Sequence, residues 1–360
     1  MAKAWVLHDI GDIRYEDVEI PEPGTGEVLL RVRAAGICGS DIPRIYDTGA
    51  HRMPLIPGHE FSAVVESVGE SVPDTWTGKR VAVYPKIPCG KCSACLKGMS
   101  DMCGSYDYVG SRRDGAFAEY VMAPASNLLE LPNNVSFEAA AMLEPMAVAA
   151  NAVRTGMESA EEELIENLSV AVCGLGTIGM MVIMLLREIG CKNIYAVGNR
   201  DTQKTRVLPM EIPEECFCNS RSEDVPSWIR EKTDGGADVY FECVGRNESI
   251  TYGLRSVRPM GKIILVGNPH SDMAFSRNEY WEILRKQLTL RGIWNSVFRQ
   301  SVPTDGKTDD WNYIMGKLES GRLAPESLIS HRMEMGELEN GFRIMRDKTE
   351  DYCKVMMVHK

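Results

Sequence analysis

Ser169-Val170-Ala171-Val172-Cys173-Gly174-Leu175-Gly176-Thr177-Ile178-Gly179 is the stretch that decides how the chain is read. Its first part is an apolar run, the pattern of a strand buried on both faces of a parallel sheet. Three glycines follow at GxGxxG spacing, and an apolar helical pattern continues to Ile189. In that strand–turn–helix setting Gly174 permits the tight turn and Gly176 lets the backbone approach a pyrophosphate. Gly179 lets the helix pack closely on the strand. The helix start, with the N–H groups of Thr177 and Ile178, offers unpaired donors and a positive dipole end to phosphate groups. An isolated glycine motif is often only a turn; the flanking strand and helix argue for a ligand.

Downstream the chain keeps alternating, with strand patterns at Asn193–Val197, Asp238–Cys243 and Lys262–Gly267. Alternation of this kind predicts an α/β, doubly wound parallel sheet of Rossmann type. The second strand ends Tyr195-Ala196-Val197-Gly198-Asn199-Arg200. An acid there would take the ribose 2′-OH of NAD, and it is missing. Gly198 leaves room, Asn199 is polar, and Arg200 suits a 2′-phosphate, so the pattern favours NADP over NAD. The alternative is a solvated Arg200 with Asp201 serving the ribose.

Upstream the pattern is β-rich, with short β-branched runs at Val28–Arg33, Ala63–Val68 and Arg80–Tyr84 between Gly- and Pro-containing loops. An Ala/Met/Leu-rich helix is expected over Phe137–Val153. The segment Leu208–Asp224 shows little periodicity. The tail ends in a strand-like Lys354–Val358.

Eleven cysteines punctuate the chain, and four of them, Cys89, Cys92, Cys95 and Cys103, crowd one segment. Four thiolates in one loop suit tetrahedral, closed, structural zinc. An iron–sulfur cluster is the rival, but the longer gap to Cys103 and the missing proline after it speak against one. A second constellation is sparser: Cys38 and Ser40 in GICGSD, His59 and Glu60 in PGHE, and Glu144 in LEP. A catalytic zinc takes three protein ligands and leaves one position open. Cys38, His59 and one of the two glutamates would supply them. Singly, each residue reads as an ordinary core or hydrogen-bonded side chain; beside a dinucleotide motif the set reads as a metal site. The remaining six cysteines read as buried small hydrophobes.

The formal charge of −11 and pI near 5.2 argue against a nucleic-acid or anionic-membrane binder. No apolar run reaches the roughly 20 residues of a spanning helix, and Met1–Leu7 lacks a signal-peptide pattern. A cytoplasmic protein with reduced thiols is expected.

GICGSD, GHE, the four-cysteine lobe, Glu144-Pro145 and GLGTIG, in that order, resemble the zinc-containing medium-chain alcohol/polyol dehydrogenases over essentially the whole chain. The resemblance implies a GroES-like, β-rich catalytic domain over residues 1–150, completed by 296–360, with a Rossmann dinucleotide-binding domain at 151–295. It implies two zinc ions per chain, with Cys38, His59 and Glu144 holding the catalytic one. Glu60 is then a supporting or alternate ligand, and Ser40 the first step of a proton relay. Many members place a His soon after the GSD triplet as the outer end of that relay. Pro43 stands there in this chain. The segments Gly39–Tyr46, Gly49–His51 and Tyr106–Gly115 are similar to those of members acting on phosphorylated polyols. Arg44, His51, Arg112 and Arg113 are accordingly candidate phosphate ligands. An unphosphorylated polyol is the alternative substrate, and some of these residues are equally readable as loop ties paired with Asp107 or Asp114. Strand-like Gln287–Trp294 suggests pairing across a two-fold axis, hence a homodimer or homotetramer. A catalytically idle cofactor-binding sensor would have lost Cys38 or His59, and both are present.

Overall fold

The computed structural model describes residues 1–158, 162–269, 271–299 and 308–359. The chain divides into two compact units, Met1–Pro145 with Ser296–Lys360, and Met146–Asn295. The helix Leu143–Gly156 carries the chain over the first boundary.

The second unit is a six-stranded parallel sheet. Its strands lie side by side in the order Phe217–Asn219, Asn193–Gly198, Ser169–Cys173, Ala237–Glu242, Val257–Leu265 and Thr289–Gly292. Numbered along the chain, that is the doubly wound dinucleotide-binding order, which reverses beside the first strand and opens a crevice there. Val170, Ala171 and Val172 are fully buried, because strands flank them and helices cover both faces. The expected helix at Thr177 runs Thr177–Glu188. A Cβ at Gly179 would run into the Gly174 carbonyl oxygen, so a side chain there would push the helix off the strand.

In the first unit a seven-stranded sheet is built around the strand Glu27–Gly36. That strand pairs with Glu60–Val68, Tyr120–Pro124 and Lys354–Val358, so the end of the chain completes the sheet begun near its start. Leu30, Phe61, Phe117 and Phe342 fill its core. The helix expected over Phe137–Val153 is broken at Met142 into Phe137–Ala141 and Leu143–Gly156. This is a GroES-like fold, and the molecule as a whole is the α/β combination expected from the sequence. Among the described residues no helix is long and apolar enough to cross a membrane.

Candidate metal centres and cofactor crevice

Strand ends deliver the first cluster. Gly36 closes Glu27–Gly36, and Cys38 follows two residues on; Glu60 opens Glu60–Val68 directly after His59. Gly36 stands opposite Glu60 in the sheet, which brings the two strand ends together. Donor atoms of Cys38, His59 and Glu60 all lie within 4.8 Å of one another. Ser40 Oγ donates to Cys38 Sγ at 3.3 Å. Asp41, fully buried, accepts from the Cys38 amide at 3.0 Å and pairs with Arg44. Its Oδ1 stands 3.4 Å from His59 Nδ1, a buried atom without a hydrogen-bond partner. Burial pushes the His59 imidazole down, but Asp41 and Cys38 outweigh it and hold its pKa well above the ordinary value. The donor set, thiolate, imidazole and carboxylate around one point, fits a zinc ion.

Glu144 lies outside that mutually close group, although the resemblance favours it as the third ligand. It is buried, and Tyr108 Oη donates to its carboxylate at 3.3 Å, with the Tyr108 ring packed edge-on against His59 at 5.8 Å. Burial raises its pKa to about 7, with the nearby Glu60 adding to the rise and His59 opposing it. Glu60 in turn pairs with Lys354, whose ammonium also donates to the Ile37 carbonyl at 3.0 Å. A side chain at Gly36 would occupy the space of the Glu60 carboxylate and the Lys354 stem. Sequence reasoning missed Lys354, Asp41 and Tyr108. Asp41 directly follows the singled-out Ser40 and was within reach; Lys354 sits in an apolar strand with nothing to mark it.

The four-cysteine lobe closes on itself. Sulfur–sulfur distances are 3.5 Å for Cys92–Cys95, 3.8 Å for Cys92–Cys103 and 4.0 Å for Cys89–Cys95, with no disulfide. A tetrahedron with metal–sulfur bonds of about 2.3 Å has edges of about 3.8 Å, so these sulfurs fit zinc. The backbone N–H of Cys95 pulls the Cys92 thiol down to about 6, whereas desolvation pushes Cys95 up to about 12. Thiols this close do not all ionise without a cation among them.

In the second unit a cavity of about 280 Å³ opens at the glycine turn, lined by Gly174, Gly176, Gly198, Asn199, Ser220 and Arg246 among others. Thr177 and Ile178 begin the helix whose N-cap is Gly176. Gln203 fills the space above Gly198: its Oε1 accepts from the Asn199 amide at 2.8 Å and would collide with a Cβ at Gly198. Arg200 does not line this cavity; it caps the helix Asp201–Val207. Gln203, Ser220 and Arg246 carry no recognisable motif and were not found from the sequence.

The phosphate candidates separate. Arg44 and His51 line a second cavity, about 340 Å³, together with Ser40, Thr48, Gly49 and Ala50. Arg112 lies over the Tyr106 ring at 4.6 Å. Arg113 is committed elsewhere: it pairs with Glu27 at 2.6 Å and lines a different cavity with Asp114 and Tyr120.

Comparison with known proteins agrees with this fold. The family model for the alcohol dehydrogenase GroES-like domain matches residues 24–133, and that for zinc-binding dehydrogenases matches residues 177–306. Galactitol 1-phosphate 5-dehydrogenase of Escherichia coli (strain K12) is 32% identical over 340 residues, covering 94% of this chain and 93% of that protein. The crystal structure of galactitol-1-phosphate dehydrogenase from Escherichia coli superposes with a TM-score of 0.87, at 30% identity over 99% of this chain and 100% of that one. L-threonine 3-dehydrogenase of Bacillus licheniformis is 31% identical, covering 92% of each chain. A zinc-binding dehydrogenase from Sinorhizobium meliloti 1021, solved bound to NADP, gives a TM-score of 0.86 at 26% identity, covering 100% of this chain and 99% of that one. The chain belongs to the zinc-dependent medium-chain alcohol/polyol dehydrogenase family and is an oxidoreductase.

Proposed function

We propose that the protein transfers a hydride between NADP and a secondary alcohol of a sugar-alcohol phosphate, of the kind exemplified by galactitol 1-phosphate. The observation that carries this reading is the cluster of Cys38, His59 and Glu60 with Ser40 hydrogen-bonded to the thiol. When bound, zinc polarises the carbinol oxygen and the nicotinamide takes up the hydride. Cys38 and His59 would hold the metal with one of two carboxylates: Glu144, which the resemblance favours, or Glu60, which belongs to the mutually close group and is paired with Lys354. Ser40 receives the substrate's hydroxyl proton and passes it outward to solvent, since Pro43 cannot continue the relay. Asp41 fixes the His59 ring, and Tyr108 orients the Glu144 carboxyl. Cys89, Cys92, Cys95 and Cys103 hold a second zinc that orders their lobe and takes no part in the chemistry.

Preference for NADP is supported by the absence of an acid at the end of the second strand; the room expected above Gly198 is taken by Gln203 and adds nothing to that preference. Arg246, which lines the cavity, is the cation placed to meet a 2′-phosphate; Arg200, favoured for that role by the sequence, lies outside the cavity lining. A homodimer joined through the outer strand Thr289–Gly292 is supported by its free outer edge among the described residues and by the exposed Trp294 just after it. The acidic composition and the free thiols suit the cytoplasm.

Initial rates with galactitol 1-phosphate and galactitol, each with NADP and NAD on zinc-loaded protein, test the proposal. The phosphate ester with NADP should give the highest kcat/KM; equal or higher rates with unphosphorylated polyol, or with NAD, overturn the corresponding half. Cys38→Ser should abolish turnover while NADP binding, followed by fluorescence, is kept. Turnover at the unsubstituted rate removes Cys38 from the metal.

A further inference from the structure

The strand Ala237–Glu242 ends on a carboxylate that the proposed chemistry does not use. Glu242 is 1% exposed, and among the described residues no cationic side chain pairs with it. Its Oε1 accepts three hydrogen bonds instead, from the amides of Val244 at 2.7 Å and Gly245 at 2.8 Å and from the Ser249 hydroxyl at 2.7 Å. Two consecutive amides aimed at one point make a nest for an anion, and here the chain's own side chain fills it. Gly245 permits the turn with a φ of +79°, and a Cβ there would run into the Asn268 carbonyl. Ser249 extends the constraint, because its Oγ also accepts from the Arg246 amide at 3.3 Å. The Glu242 carbonyl accepts from the Val266 and Gly267 amides at 2.9 Å, and the Cys243 amide donates to the Cys173 carbonyl at 2.8 Å, which ties the turn to both neighbouring strands. One wall of the crevice hangs on this turn. Cys243, Val244, Arg246, Glu248, Ser249 and Tyr252 line the cavity at the glycine turn, and Glu242 stands behind them, outside the lining.

We infer that Glu242 is a positioning residue for the dinucleotide: its carboxylate fills the amide nest of Val244 and Gly245 and, through Ser249, sets the backbone of Arg246, so that this wall of the crevice is formed before the cofactor arrives. The inference rests on the reading that the crevice takes a nicotinamide dinucleotide, and deepens it. Amides donating to a carboxylate hold more firmly than amides donating to a neutral carboxamide. A wall fixed in advance spares the cofactor the cost of ordering it. Because the nest is filled from within, the cofactor's phosphates are left to the helix start at Thr177 and to the Arg246 side chain.

Glu242→Gln keeps the size of the side chain and removes its charge. In calorimetric titrations of zinc-loaded protein with NADP and with NAD, this variant should bind the preferred dinucleotide roughly 10-fold more weakly than the parent. Without cofactor, hydrogen–deuterium exchange should quicken at the amides of Val244, Gly245 and Arg246 and stay unchanged across the helix Thr177–Glu188. Ser249→Ala keeps the carboxylate but breaks its link to Arg246, and should weaken binding several-fold. Glu279→Gln is the control: it removes a buried carboxylate of the same unit that lies outside the cavity lining, so stability should fall while dinucleotide affinity stays. Parent-like affinity or parent-like exchange in Glu242→Gln overturns the inference, and an equal loss of affinity in Glu279→Gln does so too, because it marks a general loosening. Parent-like affinity in Ser249→Ala also overturns it, and that variant decides alone if Glu242→Gln does not fold. A parent protein that binds neither dinucleotide overturns the cofactor reading itself.

Discussion

Lys354 sits in a strand whose next three residues, Val355, Met356 and Met357, are fully buried, and its ammonium is held there by the Glu60 carboxylate and the Ile37 carbonyl. Two charges taken from water are tolerated because each satisfies the other, and removing one leaves a bare charge in the core. Lys354→Met is expected to destabilise the protein by about 3–5 kcal/mol in urea unfolding. Adding Glu60→Gln to it should recover part of that loss, and a double variant no more stable than the single one would show that the pair is not coupled. This residue also shows where sequence reading stops. Cys38, His59 and the cysteine lobe declare themselves through residue type and spacing. A lysine opening an apolar strand looks the same whether it faces solvent or a carboxylate, because its partner lies 294 positions away. Arg112 and Arg113 make the same point at closer range. They are adjacent in sequence, yet one is paired with Glu27 and the other is spread over a tyrosine ring.

Elements built on local rules were the legible ones. The strand Ser169–Cys173 and the helix Thr177–Glu188 fall where an apolar run and a glycine turn put them. The stretch Leu208–Asp224, unreadable by period, holds two single-turn helices and the strand Phe217–Asn219. Three residues are too few to express an alternation, and this strand is placed by its pairing with Asn193–Gly198. The helix Arg277–Lys286 has a complete capping box: Ser276 Oγ accepts from the Glu279 amide, and the Glu279 carboxylate accepts from the Ser276 amide at 2.7 Å. The Thr251 hydroxyl, that amide and nearby Arg255 hold the Glu279 carboxyl below its ordinary pKa. Its stabilisation is thus fully present above the usual carboxylate range and fades as pH falls through the lower folded-state value. Glu279→Gln should cost about 1 kcal/mol at pH 7, and the difference from the parent protein should vanish on acidification. A difference that persists at low pH would assign the effect to packing instead. In the cysteine lobe, chelation of the proposed zinc should make Leu96–Met99 more susceptible to proteolysis while the Rossmann unit keeps its dinucleotide affinity. Simultaneous loss of both would mean that the lobe's metal supports the whole fold.

At the scale of the molecule, the sheet of the second unit ends in Thr289–Gly292, a strand with no partner on its outer side among the described residues. An unpaired edge followed by an exposed tryptophan invites pairing with a second copy. Trp294→Asp should convert the proposed dimer to a monomer by light scattering, and a parent protein already monomeric would remove the interface. The first unit, by contrast, closes on its own distant end, since Lys354–Val358 pairs with Glu27–Gly36. That closure bears on how the protein is made. During synthesis Cys38, His59 and Glu60 emerge early, and the ribosome must then add about 300 further residues, the entire cofactor-binding unit among them, before Lys354 appears. At roughly 5–20 residues per second that is an interval of about 15–60 s. Until then the Glu60 carboxylate lacks the counter-charge that pairs with it in the finished fold. The Rossmann unit, contiguous in the chain, has no such wait. The Glu60–Lys354 pair is therefore among the last contacts to be completed, although Glu60 is among the first residues translated.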